Sequence, residues 1–134
     1  TLGVLFHMIR LKTNKLTLTY DDETITRDNV FIEVSNTRYT GKDFLMAPDA
    51  KIDDGKLDIT LLNDVSRIDL ISGLSKIFKG THTEMEEVEA FTAGKIRIET
   101  ENPIILTPDG EILGTTPVEI ECIPKALRFF HNLD

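Results

Sequence analysis

Leu16-Thr17-Leu18-Thr19-Tyr20 carries an apolar side chain at every second position, the pattern of a β-strand with one buried and one solvated face. The same period returns in Ile96-Arg97-Ile98-Glu99 and in Val118-Glu119-Ile120-Glu121-Cys122. Val30-Phe31-Ile32-Glu33-Val34 and Leu57-Asp58-Ile59-Thr60-Leu61-Leu62 are richer in apolar residues and are predicted to lie nearer the centre of the sheet. Asp21-Asp22, Asp53-Asp54-Gly55 and Asp109-Gly110 supply turn chemistry between segments. The expected fold class is mainly β, a β-sandwich with the character of an open barrel.

One stretch departs from the two-residue period. Ile68, Ile71, Leu74, Ile77 and Phe78 recur at three- and four-residue steps, Ser66 or Asp64 can cap the start, and Gly80 can end it. This predicts a single amphipathic helix laid over the sheet, with that apolar stripe facing inward. His82, just past Gly80, is expected in a polar loop capping helix carbonyls, with phosphate contact as the alternative.

At 134 residues, 40% of them hydrophobic, the chain suits one domain with one core. It begins at Thr1, and residues 1–15 are expected to be a helix or connection from a preceding domain, followed by the sandwich over 16–128 and a tail over 129–134. The lone Cys122 excludes an internal disulfide framework and a thiolate metal cage, in keeping with a cytoplasmic setting. A net charge of -8 argues against nucleic acid as a partner. The acidic run Thr83 to Glu89 reads as the solvated side of a strand or loop.

A P-loop, a dinucleotide fingerprint, a nucleophile elbow and a paired-histidine metal motif are all missing, and His7, His82 and His131 lie far apart. Any chemistry therefore rests on carboxylates. Asp109-Gly110-Glu111 follows the apolar Ile104-Ile105-Leu106 and sets two carboxylates at a tight turn, where they could hold Mg²⁺ or take a proton from a hydroxyl, or simply form a hairpin turn. Lys51-Ile52-Asp53-Asp54-Gly55-Lys56 could hold a hard cation through a carboxylate and backbone carbonyls, a plain turn being the alternative. Asn36, after Val34-Ser35, could orient a ligand or satisfy a loop backbone.

Asn36, Phe44 to Ala50, Asp53 to Asp58, Gly80-Thr81-His82, Asp109-Gly110-Glu111, Pro117 and Pro124 to Leu127, taken in that order, resemble the C-terminal domain of the diacylglycerol, sphingosine and ceramide kinase family. The resemblance covers residues 16–128. It implies a partner domain in the same protein, N-terminal and α/β, with a glycine-rich loop for the phosphates of ATP. It further implies that Asp109 and Glu111 face the shared cleft. Asp109 would then activate the lipid hydroxyl, Glu111 would contact Mg²⁺ and nucleotide together with Asn36, and the two carboxylate roles are exchangeable. A structural Mg²⁺ would use the Asp54 carboxylate and the Lys51 and Lys56 carbonyls. The sequence departs from the family at Arg38-Tyr39-Thr40-Gly41-Lys42, which has one glycine where a glycine-rich run is usual.

The implied function is ATP- and Mg²⁺-dependent phosphorylation of a membrane-lipid hydroxyl, diacylglycerol-like or sphingoid, by a cytoplasmic protein that works peripherally at the membrane. This domain alone is expected to be inactive. The rival is a non-catalytic β-sandwich that binds lipid or protein. A third expectation is a homodimer paired through a sheet edge.

Overall fold

The computed structural model describes residues 12–128, so residues 1–11 of the connection expected over 1–15, the tail 129–134, His7 and His131 lie outside the described residues, while Asn14 and Lys15 already belong to the first strand. Six strands form one antiparallel sheet: β1 Asn14–Tyr20, β2 Glu23–Ser35, β3 Leu57–Asn63, β4 Val88–Ala93, β5 Lys95–Thr100 and β8 Val118–Glu121, in the order β4-β3-β2-β1-β5-β8. Two-residue strands β6 Ile105–Leu106 and β7 Gly114–Thr115 make a separate hairpin between β5 and β8. A helix, α1 Arg67–Ile77, connects β3 to a short 3₁₀ turn at Thr81–Glu84. No helix among the described residues is long and apolar enough to cross a membrane.

The alternating residues do what their period demands. Leu16 and Leu18 oppose Arg27 and Ile25 on β2, and Thr100 and Ile98 on β5. They share one buried face with Ile59, Leu61 and Ile96. That face is rolled inward: the rings of Tyr20 on β1 and Phe91 on β4 lie 4.5 Å apart although β2 and β3 separate their strands. Past the other edge strand, Cys122 N donates to Gly94 O at 2.9 Å, and Pro124 approaches Gly55. The mainly β, open-barrel-like expectation matches this curled sheet.

A register shift between Asn29 and Phe31 interrupts the β2–β3 ladder. Buried Asn29 fills the gap, its amide donating to Phe31 O and Leu62 O at 2.9 Å each. The shift reverses which face receives which residue. Ile25 before it and Ile32 and Val34 after it all pack on the core, while Phe31 turns to the opposite face beneath α1.

The helix forms where predicted, and Ser66 caps it, its hydroxyl accepting from Asp69 N at 3.2 Å. Its orientation differs from the expected one. Leu70 and Gly73 are buried, with Leu74 and Ile77 beside them, whereas Ile68, Ile71 and Phe78 are 80%, 48% and 50% exposed. The apolar residues of this helix form a band wider than one packing face, so period alone does not fix which part of it turns inward. Close packing selects the one with Gly73, where even a Cβ would stand 3.3 Å from Met85 Sδ.

Candidate functional site

The β6–β7 hairpin is rooted by Thr116, which is buried: its hydroxyl accepts from Ile104 N at 3.0 Å and bonds the Thr100 hydroxyl, while its own N–H donates to Ile104 O at 3.0 Å. From this root the chain extends to a 3₁₀ turn at Pro108–Gly110. Gly110 N donates to Thr107 O and Glu111 N to Pro108 O, so the backbone of the tip satisfies itself. Asp109 sits there in the left-handed region (φ 48°), a conformation Asp tolerates, followed by Gly110 at φ 85°. Asp109 and Glu111 are both exposed, and neither side chain makes a hydrogen bond or ion pair among the described residues. Ile105 on β6 and Ile112 and Leu113 directly after Glu111 are 63%, 77% and 76% exposed on the same hairpin. Two uncommitted carboxylates are thus held out among bare aliphatic side chains.

The acidic turn before β3 is more crowded than its sequence suggests. Asp54 Oδ1 accepts from Lys56 N at 2.9 Å, closing an Asx turn in which Gly55 adopts φ 75°. Asp58 is partly buried, and burial, with Asp54 and Asp49 nearby, raises its pKa above the usual carboxylate value. Negative charge from Asp49, Asp54 and Asp58 therefore gathers here, with Lys51 and Lys56 in the same turn. No group of three or more His, Cys, Asp or Glu side chains among the described residues is arranged to hold a metal. A cation at this turn would rest on the Asp54 carboxylate and the Lys51 and Lys56 carbonyls, an all-oxygen set that fits a hard ion such as Mg²⁺. Asn36 lies exposed just beyond β2, away from any hydrogen bond among the described residues.

His82 is buried rather than set in a polar loop, and it does not cap the helix carbonyls. It is 4% exposed, its Nε2 lies 3.1 Å from Met46 O, and its Nδ1 is buried without a partner. Burial pushes its pKa below the ordinary histidine value, only partly offset by the Met46 carbonyl and Glu33. The helix carbonyls do not recruit it because the 3₁₀ turn begins directly after Gly80, whose φ of 70° reverses the chain and tucks the ring under α1. There it helps line a cavity of about 210 Å³ between α1 and the outer face of β3, with Phe31, Phe44, Met46, Leu62 and Met85. Sequence reasoning missed this cavity. Its walls come from five separate segments, and the one local sign was the surplus of apolar residues around the helix.

The acidic run 83–89 also divides. Glu84 and Glu86 are solvated as expected, but Glu89 points to the core face and receives Arg27 in two contacts, Nε at 2.6 Å and the other guanidinium nitrogen at 3.0 Å, plus Asn63 Nδ2. Arg27, then Asn63, holds the Glu89 carboxyl below its usual pKa against the opposing effect of burial.

Known proteins are similar to this chain in sequence and fold. A diacylglycerol kinase of Mycobacterium tuberculosis is 34% identical over 128 residues, covering 95% of this chain and 41% of that protein. Sphingosine kinase 1 of Arabidopsis thaliana is 31% identical over 111 residues, covering 78% of this chain and 23% of its own length. A crystal structure of a diacylglycerol kinase from Bacillus anthracis superposes with a TM-score of 0.67 at 25% identity, over 89% of this chain and 43% of that one. The chain thus spans well under half the length of these relatives. Residues 1–131 match the YegS C-terminal NAD kinase beta sandwich-like domain, and the chain belongs to that family, the C-terminal domain of bacterial lipid kinases.

Proposed function

We propose that this domain forms the C-terminal side of the active site of an ATP- and Mg²⁺-dependent lipid kinase that phosphorylates the hydroxyl of a diacylglycerol-like or sphingoid membrane lipid. The observation that carries the reading is the hairpin tip, where Asp109 and Glu111 stand unpaired among exposed Ile105, Ile112 and Leu113. An acceptor with a polar head and an apolar body meets both kinds of surface there. Phosphoryl transfer needs positioning and charge stabilisation more than covalent help from the protein. Asp109 accepts the proton of the attacking hydroxyl, and Glu111 offers oxygens toward metal and nucleotide, with Asn36 as a further polar contact. Mg²⁺, when bound, neutralises charge on the transferring group. The rest of the protein, N-terminal to this domain, supplies the nucleotide phosphate loop.

The test is transfer of labelled phosphate from ATP into a lipid extract by the intact protein and its Asp109→Asn variant. Asp109→Asn is expected to lower the rate by about 10²-fold or more while the thermal transition stays in place. Full activity in that variant would remove Asp109 from the mechanism. The cavity beneath α1 supports a second reading, a non-catalytic lipid- or protein-binding module. Lipid binding that needs neither Mg²⁺ nor Asp109, with no labelled product, would favour it.

A further inference from the structure

The outward side of α1 presents Ile68, Ile71 and Phe78, spaced three and seven residues apart and left bare by the inward turn of Leu70 and Gly73. Cations flank them. Within 67–79 stand Arg67, Lys76 and Lys79 against the single acid Asp69, whose carboxylate is engaged by the Ser66 hydroxyl. The Phe44–Phe78 ring contact at 5.0 Å joins this side to the 37–46 loop, which adds Arg38, Lys42 and exposed Tyr39, with Asp43 as its acid. The ion pairs among the described residues use Arg27, Lys95 and Arg97 and none of these cations. A basic, apolar strip is thus set on a chain of net charge -8.

We infer that the outer side of α1 and the 37–46 loop form a docking surface for an anionic lipid bilayer. Exposed aliphatic and aromatic side chains beside lysine and arginine are what interfacial binding requires: apolar insertion at the acyl boundary, with cations held by anionic headgroups. Repulsion between the acidic remainder of the domain and the same headgroups would leave this strip as the face that approaches. The inference rests on the lipid-kinase reading for its purpose, and its test does not depend on phosphoryl transfer.

The intact protein is sedimented with vesicles of phosphatidylcholine alone or with one part in three replaced by phosphatidylglycerol. Binding is expected with the anionic vesicles and should weaken as salt rises. Lys76→Gln combined with Lys79→Gln lowers the partition coefficient roughly fivefold per lysine. Ile68→Asp, at a position 80% exposed and so tolerant of the change, abolishes binding while the thermal transition is kept. Equal binding to both vesicle types, or variants that bind like the parent, would overturn the inference. So would a shift from dimer to monomer in Ile68→Asp without vesicles, which would make the strip a seam between two copies. If no lipid is phosphorylated and Ile68→Asp still releases the vesicles, the docking surface stands and the kinase reading falls.

Discussion

Glu89 and His82 are two titratable side chains whose surroundings shift them, and they act at different pH. Glu89 accepts both arms of Arg27 on a partly buried face. Because the pair retains solvent access, its net worth is modest, and Glu89→Ala is expected to cost about 1 kcal/mol by chemical denaturation. The Glu89 pKa is lowered from 4.5 in the fold, so its contribution is fully present above that value and is lost as pH falls through the lower folded value. His82 is kept neutral by burial, with a folded pKa lowered from 6.5. The unfolded chain takes up its proton first on acidification. Stability should therefore decline from about pH 6.5 downward to the folded pKa, and His82→Asn should flatten that part of a melting-temperature profile without altering the acid limb that Glu89 controls.

At the scale of elements, the junction after α1 determines how the cavity is closed. Gly80 holds φ 70°, and a Cβ there would lie 2.9 Å from Leu45 Cδ2 and 3.1 Å from Pro48 Cβ. Gly80→Ala combines left-handed strain with that clash and is expected to cost about 2 kcal/mol, read as a shift in the urea midpoint with the slope unchanged. The β6–β7 hairpin poses the opposite case. Its paired strands are only two residues long, and Thr116 is its one buried anchor, so the site carboxylates stand on an element with little core of its own. That suits a segment completed by a lipid or by another domain.

Among the described residues the fold is a curled sheet with its core on the concave face and one α-helix over the opposite face, and the proposed catalytic carboxylates project from the hairpin between β5 and β8. The amino-acid sequence carries no P-loop for the phosphates of a nucleoside triphosphate. The 134-residue domain, incubated with ATP, Mg²⁺ and mixed lipids, is accordingly expected to yield no labelled lipid under conditions where the intact protein does. Strands β1, β3, β5 and β8, the second half of β2, the helix with its Ser66 cap and the Asp109-Gly110-Glu111 turn were legible in the amino-acid order, because strand alternation, helix capping and turn chemistry depend on neighbours a few residues apart, whereas β4 and β7 were not. The ordered motifs carried the family for the same reason. The inward face of α1, the reversal of sides at Asn29, the burial of His82 beneath the helix and the pairing of Glu89 with Arg27 depended on the folded molecule. Each is settled by packing between segments apart in the chain: a helix with a broad apolar band has more than one workable inward face until Gly73 meets Met85, and a strand's parity holds only until a bulge shifts it.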